Sequence, residues 1–114
     1  MSGSERNGKR QLEVHDALAG GWHTISAVGE LDMASAPALK ATMERICEGR
    51  AAAITLDLSG LTFIDSTGLH VIVSTSQRCR ELGIDFELVP GPQQIQRLFE
   101  VTGLLDVLPF QAAA

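Results

Sequence analysis

The stretch Leu61-Thr62-Phe63-Ile64-Asp65-Ser66-Thr67-Gly68-Leu69-His70 joins two segments of different periodicity. Upstream of it, Ala51-Ala52-Ala53-Ile54-Thr55-Leu56-Asp57-Leu58 is rich in aliphatic residues and holds neither proline nor glycine, the pattern of a buried strand. Downstream, Leu69, Ile72, Val73, Ser76 and Cys79 recur at helical spacing, which predicts a helix over about 66–82 with one buried face. Asp65-Ser66-Thr67-Gly68 therefore falls at a strand-to-helix turn. Asp and Ser both suit an N-cap, where a side-chain oxygen accepts a hydrogen bond from a free helical amide. Those amides and the helix dipole also favour an anion at this place, so a hydroxyl held there is suited to carry a phosphate. The plainer alternative is that Ser66 only caps the helix.

Outward from this centre, residues 11–18 and 22–28 read as two short strands, the second alternating Trp22, Thr24, Ser26 and Val28 with His23, Ile25 and Ala27. Gly20 and Gly21 between them permit the positive φ angles of a tight hairpin, so the pair is expected to be antiparallel. Gly29-Glu30-Leu31-Asp32 ends the hairpin. Ser35 is then positioned to cap a helix that admits Pro37 in its first turn. That helix carries Leu39, Met43, Ile46 and Cys47 on its apolar stripe, runs to about 48 and stops at Gly49. Beyond Gly83, residues 84–89 predict a further strand broken by Pro90-Gly91-Pro92, and 92–101 a last helix with Ile95, Leu98, Phe99 and Val101 available to pack. Leu104 to Phe110 reads either as a short final strand or as a packed tail.

The order β-β-α-β-α-β-α implies an α/β fold: one domain over 11–110, with a mixed, mostly parallel sheet, an N-terminal antiparallel hairpin and helices packed on it. Residues 1–10 are expected to be flexible and 111–114 frayed. Ligands of open α/β sheets gather at the carboxyl ends of strands. Glu30 to Met33 and Phe63 to Leu69 both lie just past predicted strands, so they are expected to be neighbours in space.

At 114 residues the chain suffices for one compact core. Its 45% hydrophobic and 20% charged residues are globular proportions rather than those of a disordered chain. A net charge of −5, with nine scattered Lys and Arg, argues against direct nucleic-acid binding or attachment to an acidic membrane through bulk charge. No apolar run approaches membrane-spanning length, and the polar start does not read as a signal peptide, so a cytoplasmic protein is expected. Cys47 and Cys79, the two cysteines, lack metal-site spacing and read as reduced thiols in or near the core.

Three motifs resemble the STAS domain family, and within it the stand-alone bacterial anti-sigma factor antagonists. They are Gly29-Glu30-Leu31-Asp32 followed by Ser35-Ala36-Pro37-Ala38-Leu39; Leu56-Asp57-Leu58-Ser59 leading through Phe63-Ile64 to Asp65-Ser66-Thr67-Gly68-Leu69; and Phe99-Glu100-Val101-Thr102-Gly103-Leu104. The resemblance implies that Ser66 is phosphorylated by a partner that is both serine kinase and anti-sigma factor. The unphosphorylated antagonist binds that partner and frees the sigma factor; the phosphorylated one lets go, and a phosphatase restores it. Thr67 is the minor alternative acceptor, and Asp32 and Asp65, with Thr67, Gly68 and Leu69, are implied to form the partner surface around Ser66. No cofactor is implied. Many family members carry a longer C-terminal helix, so a final helix is expected here to be absent or very short, leaving apolar surface for a partner or a second copy.

Other readings are narrower. A non-switching STAS adaptor in a larger signalling or lipid-transport complex would use the same fold without phosphorylation. Catalysis by Ser66 needs a base; His70 lies one helical turn on and points along the helix. Neither a nucleophile elbow nor a Walker loop occurs. Glu30 and Asp32 read as capping or solvated acids rather than a metal pair, and His15 and His23 lack ligand spacing. Asp57 is expected to face a polar edge or bond its own loop, and Gly29 and Gly68 to serve close packing.

Overall fold

The computed structural model describes residues 11–111. The expected flexibility of 1–10, and of the last three residues, lies outside that range. The elements are β1 (Glu13–Ala19), β2 (Trp22–Leu31), α1 (Ala36–Glu48), β3 (Ala53–Ile64), α2 (Ser66–Leu82), β4 (Asp85–Val89) and α3 (Gln93–Val101). They form a 4-stranded sheet in the order β1-β2-β3-β4. β1 and β2 are antiparallel, and β3 and β4 add in parallel. The expected mixed sheet with an opening hairpin is what forms.

The hairpin turns where Gly20 and Gly21 supply φ of 59° and 82°, angles that residues with a Cβ rarely adopt. Its second strand alternates as the sequence does. Ile25, Ala27 and Leu31 are buried against the helices together with Ile54, Leu56, Leu58 and Leu88. Ala36, Leu39, Met43, Ile46 and Cys47 of α1, and Leu69, Val71, Ile72, Thr75, Ser76 and Cys79 of α2, close that core from the other side. The opposite sheet face carries a polar network beside Trp22. There Trp22 Nε1 donates to Thr55 Oγ1 at 2.9 Å, and Thr55 Oγ1 donates to Glu87 Oε2 at 3.3 Å. Gln111 joins them through Nε2, donating to Glu87 Oε2 at 2.7 Å, while its backbone amide donates to Leu88 O at 2.8 Å. Gln111 is therefore held, where the sequence led us to expect a frayed end.

Strand lengths differ from expectation. β2 continues three residues past Val28, to Leu31, and β3 continues past Leu58 to Ile64. The pairing of β2 with β3 carries two register shifts, between Ser26 and Val28 and between Gly29 and Glu30. Such irregularities insert an extra residue without ending the ladder. Ser59 N donates to Asp57 Oδ1 at 2.9 Å across the first, so Asp57 does bond its own segment, and Thr62 Oγ1 donates to Gly29 O at 3.2 Å across the second. Gly29 sits inside β2 at φ 113°, and a Cβ there would lie 2.3 Å from Gln11 O. Its glycine serves close approach within a strand rather than the end of the hairpin. Residues 104–110 resolve as a packed tail, touching the sheet through one parallel bridge, Leu88↔Phe110.

Candidate functional site

Because β2 and β3 are parallel, the loop after Leu31 and the turn after Ile64 leave the sheet at the same end, with Leu31 and Ile64 paired. The expected neighbourhood of the two segments is present, and Asp65 makes it. Its Oδ1 accepts from Gly68 N at 3.0 Å and caps α2; its Oδ2 accepts from Met33 N at 3.1 Å in the other loop. One carboxylate therefore satisfies a free helical amide and straps the two loops together. Asp65 N donates to Leu31 O at 3.2 Å, adding a backbone tie.

Asp65 being the cap, Ser66 is the first residue of α2. It is exposed, and its hydroxyl has no hydrogen-bond partner among the described residues. The plainer alternative, that Ser66 is only a capping residue, does not describe this turn. The hydroxyl stands at the positive end of a helix of 17 residues, where a dianion is favoured by roughly 0.3–1 kcal/mol at an exposed position. Thr67 is half-buried beside it.

Asp32 organises the facing loop: its Oδ1 accepts from Ala34 N and Ser35 N, both at 3.0 Å. Ser35 does not cap α1 as expected. Its Oγ donates to Glu30 O at 2.7 Å and accepts from Asp32 N at 2.9 Å, so the hydroxyl is turned back into the loop. The reason is competition: a short hydroxyl side chain bonds whichever backbone group is nearest, and the loop folds over it first.

Gly68 and Leu69 lie beneath this surface rather than on it. Leu69 is 9% exposed, and a Cβ on Gly68 would lie 2.8 Å from Leu31 Cγ and 2.9 Å from Leu31 O. Both residues, expected to belong to the partner surface, are packed under the turn in the free chain. Two surface residues were missed in the sequence: Met33 is 74% exposed and Phe63 47% exposed. Phe63 pairs with Glu30 on the sheet face turned away from the helices. The signal for Phe63 was its register, which becomes readable only once the shift at Gly29 is known. His70 is exposed and lies 3.4 Å from Ser74 Oγ, one turn further along the helix and away from Ser66. Among the described residues no group of three or more His, Cys, Asp and Glu is arranged to hold a metal ion, and no helix is long and apolar enough to cross a membrane.

The strap gives a direct expectation. Asp65→Ala removes the cap and the Met33 contact together and is expected to cost about 1–2 kcal/mol in urea unfolding. The amides of Gly68 and Met33 should lose hydrogen-exchange protection ahead of the core. Asp65→Asn, which still caps, should lose less than half as much.

Comparison with known proteins agrees with this architecture. The STAS domain model matches residues 11–113. The chain is 32% identical over 88 residues to an anti-sigma-B factor antagonist of Bacillus subtilis (strain 168), covering 77% of this chain and 80% of that protein. Among solved structures, an anti-sigma factor antagonist from Mycobacterium paratuberculosis superposes with a TM-score of 0.80 at 25% identity, over 90% of this chain and 87% of that one. The Bacillus cell fate determinant SpoIIAA in its phosphorylated form superposes with a TM-score of 0.68 at 20% identity, over 92% and 91% of the two chains, a likeness of fold. With a family match over nearly its whole length and the sheet order, strand-to-helix turn and paired loops already described, this chain belongs to the STAS domain family.

Proposed function

We propose that this chain is an anti-sigma factor antagonist, a regulatory protein whose Ser66 is a phosphate-controlled docking point. Unphosphorylated, it binds an anti-sigma factor that is also a serine kinase; phosphorylated on Ser66, it is released, and a phosphatase resets it. The chain is then a kinase substrate rather than a catalyst, and it acts in the cytoplasm, where ATP is available to its partner. The single observation that carries this reading is the exposed Ser66 hydroxyl at the first position of α2, left unengaged because Asp65 supplies the cap.

The partner surface in this reading comprises the Asp32 loop, Asp65, Ser66 and Thr67, with Gly68 and Leu69 holding the turn from below. Met33, exposed in the loop that Asp65 ties to the turn, adds apolar contact. A mixed surface of this kind suits specific docking, where a few large side chains supply most of the affinity and polar groups fix the register. The named antagonists among its relatives, such as that of Bacillus subtilis, support the role.

The test is incubation of the full chain with ATP and candidate anti-sigma kinases, read by intact mass and peptide mapping. One phosphate, located on Ser66 and missing from Ser66→Ala, is expected. Tight kinase binding without phosphate transfer would point instead to a non-switching adaptor. Phosphate placed elsewhere, with Ser66 untouched, would overturn the assignment of the site.

A further inference from the structure

Helices α1 and α2 follow parallel strands, run in the same direction and pack side by side. Each brings one cysteine to the seam between them. Cys47 and Cys79 are both free and buried, in the last turns of their helices, with their Sγ atoms 4.0 Å apart. They occupy the end of the helical layer opposite Ser66, and nothing in the reading of that site uses them.

We propose that Cys47 and Cys79 form an oxidisable pair, a modification site that a small hydroperoxide converts to a disulfide tying α1 to α2. A disulfide needs its sulfurs about 2.05 Å apart, so the two must close by roughly 2 Å, a movement within the reach of side-chain rotation where there is room. Room exists on the Cys47 side. Cys47 lines a cleft of about 170 Å³ between the helices, with Lys40, Met43, Val71 and Thr75, and a second of about 400 Å³ with Arg50 and Leu82. Cys79 is fully buried and lines neither. Hydrogen peroxide, little larger than water, reaches Cys47 first.

The steps balance with peroxide as the two-electron oxidant. The Cys47 thiolate attacks one peroxide oxygen, the O–O bond breaks, and Cys47 becomes a sulfenic acid with loss of water once a proton is taken up. Cys79 sulfur then attacks Cys47 sulfur; the S–S bond forms, the S–O bond breaks, and the hydroxyl leaves as water with the Cys79 proton. Overall two thiols are oxidised and one peroxide is reduced to two waters. Burial, with the adjacent Cys47 sulfur, pushes the Cys79 thiol up to about 12, so its thiolate is scarce and the closing step is slow. The closed ring contains β3 and the Ser66 turn, and constraining it in the unfolded chain should raise the melting midpoint by roughly 5–10 °C.

The experiment uses the full reduced chain, held folded in millimolar hydrogen peroxide, quenched with catalase, unfolded, treated with N-ethylmaleimide and weighed. The expected product is monomeric, lighter by two hydrogens, takes no maleimide, yields a Cys47–Cys79 linked peptide, reverts with dithiothreitol and melts above the reduced form. Cys79→Ala should stop at a Cys47 sulfenic acid that dimedone traps, and Cys47→Ala should leave Cys79 reduced. Two maleimides on the folded chain, under exposure that oxidises both thiols of the urea-unfolded chain, would overturn the proposal. A cross-link between chains, oxidation of Cys79 ahead of Cys47, or an oxidised form that melts no higher than the reduced one would do the same.

Discussion

Ser66→Asp is expected to weaken binding to the anti-sigma factor about a hundredfold, a loss of roughly 3 kcal/mol, while Ser66→Ala binds within a few-fold of the unmodified chain. The asymmetry follows from where the hydroxyl stands. Ser66 is exposed, makes no hydrogen bond among the described residues, and follows Asp65, whose carboxylate caps the helix. Removing the oxygen therefore breaks nothing inside the protein. Adding a charge places it beside an existing carboxylate, in a chain already at −5, at a surface that must be desolvated on docking. Phosphate brings about −1.5 to −2 charges, more than aspartate does, so the phosphorylated chain should bind more weakly still. Titration calorimetry with the purified anti-sigma factor, repeated at raised salt, measures this. Equal affinities for the two variants would show that the partner does not read this position.

The largest loss of stability from a single truncation is expected at Phe99. Phe99→Ala should cost about 3–5 kcal/mol, a large part of the 5–15 kcal/mol that holds an ordinary domain together. Phe99 is fully buried on α3 and packs edge-on against Phe110, with ring centroids 5.0 Å apart and planes at 74°. Its carbonyl accepts from Leu104 N and Leu105 N, so the helix end, the tail and the ring form one unit. Taking the ring away leaves a void next to Phe110, which bridges to Leu88, the strand residue whose backbone the tail brackets through Pro109 and Gln111. Urea unfolding should show a lower midpoint with an unchanged slope. A cost below about 1 kcal/mol would mean that the site collapses around the missing ring, or that the tail contributes little.

Much of the site was readable locally. The Gly20-Gly21 hairpin, the helical spacing of Leu39, Met43 and Ile46, and the turn at Asp65-Ser66-Thr67-Gly68 all express short-range preferences that the structure keeps. Three features were not legible. Both Asp65 and Ser66 can cap a helix, and which of them does depends on where β3 ends, set by the pairing of Ile64 with Leu31. Ser35 had the right residue type for a cap, yet the folded loop offered it Glu30 O instead. The lengths of β2 and β3 turned on two register shifts, which depend on both strands at once and leave no mark on either alone.

What the sequence determined unaided was the order of elements, the family likeness and the place of the serine, because periodicity, glycine angles and cap chemistry act over a few neighbouring residues. Only the tertiary structure decided that the serine is free while its neighbour caps, that Leu69 lies beneath the surface, that Met33 and Phe63 lie on it, and that two cysteines distant in the chain meet across a helix seam. Those outcomes depend on which backbone groups and side chains packing brings together from distant parts of the chain, and no local preference encodes that.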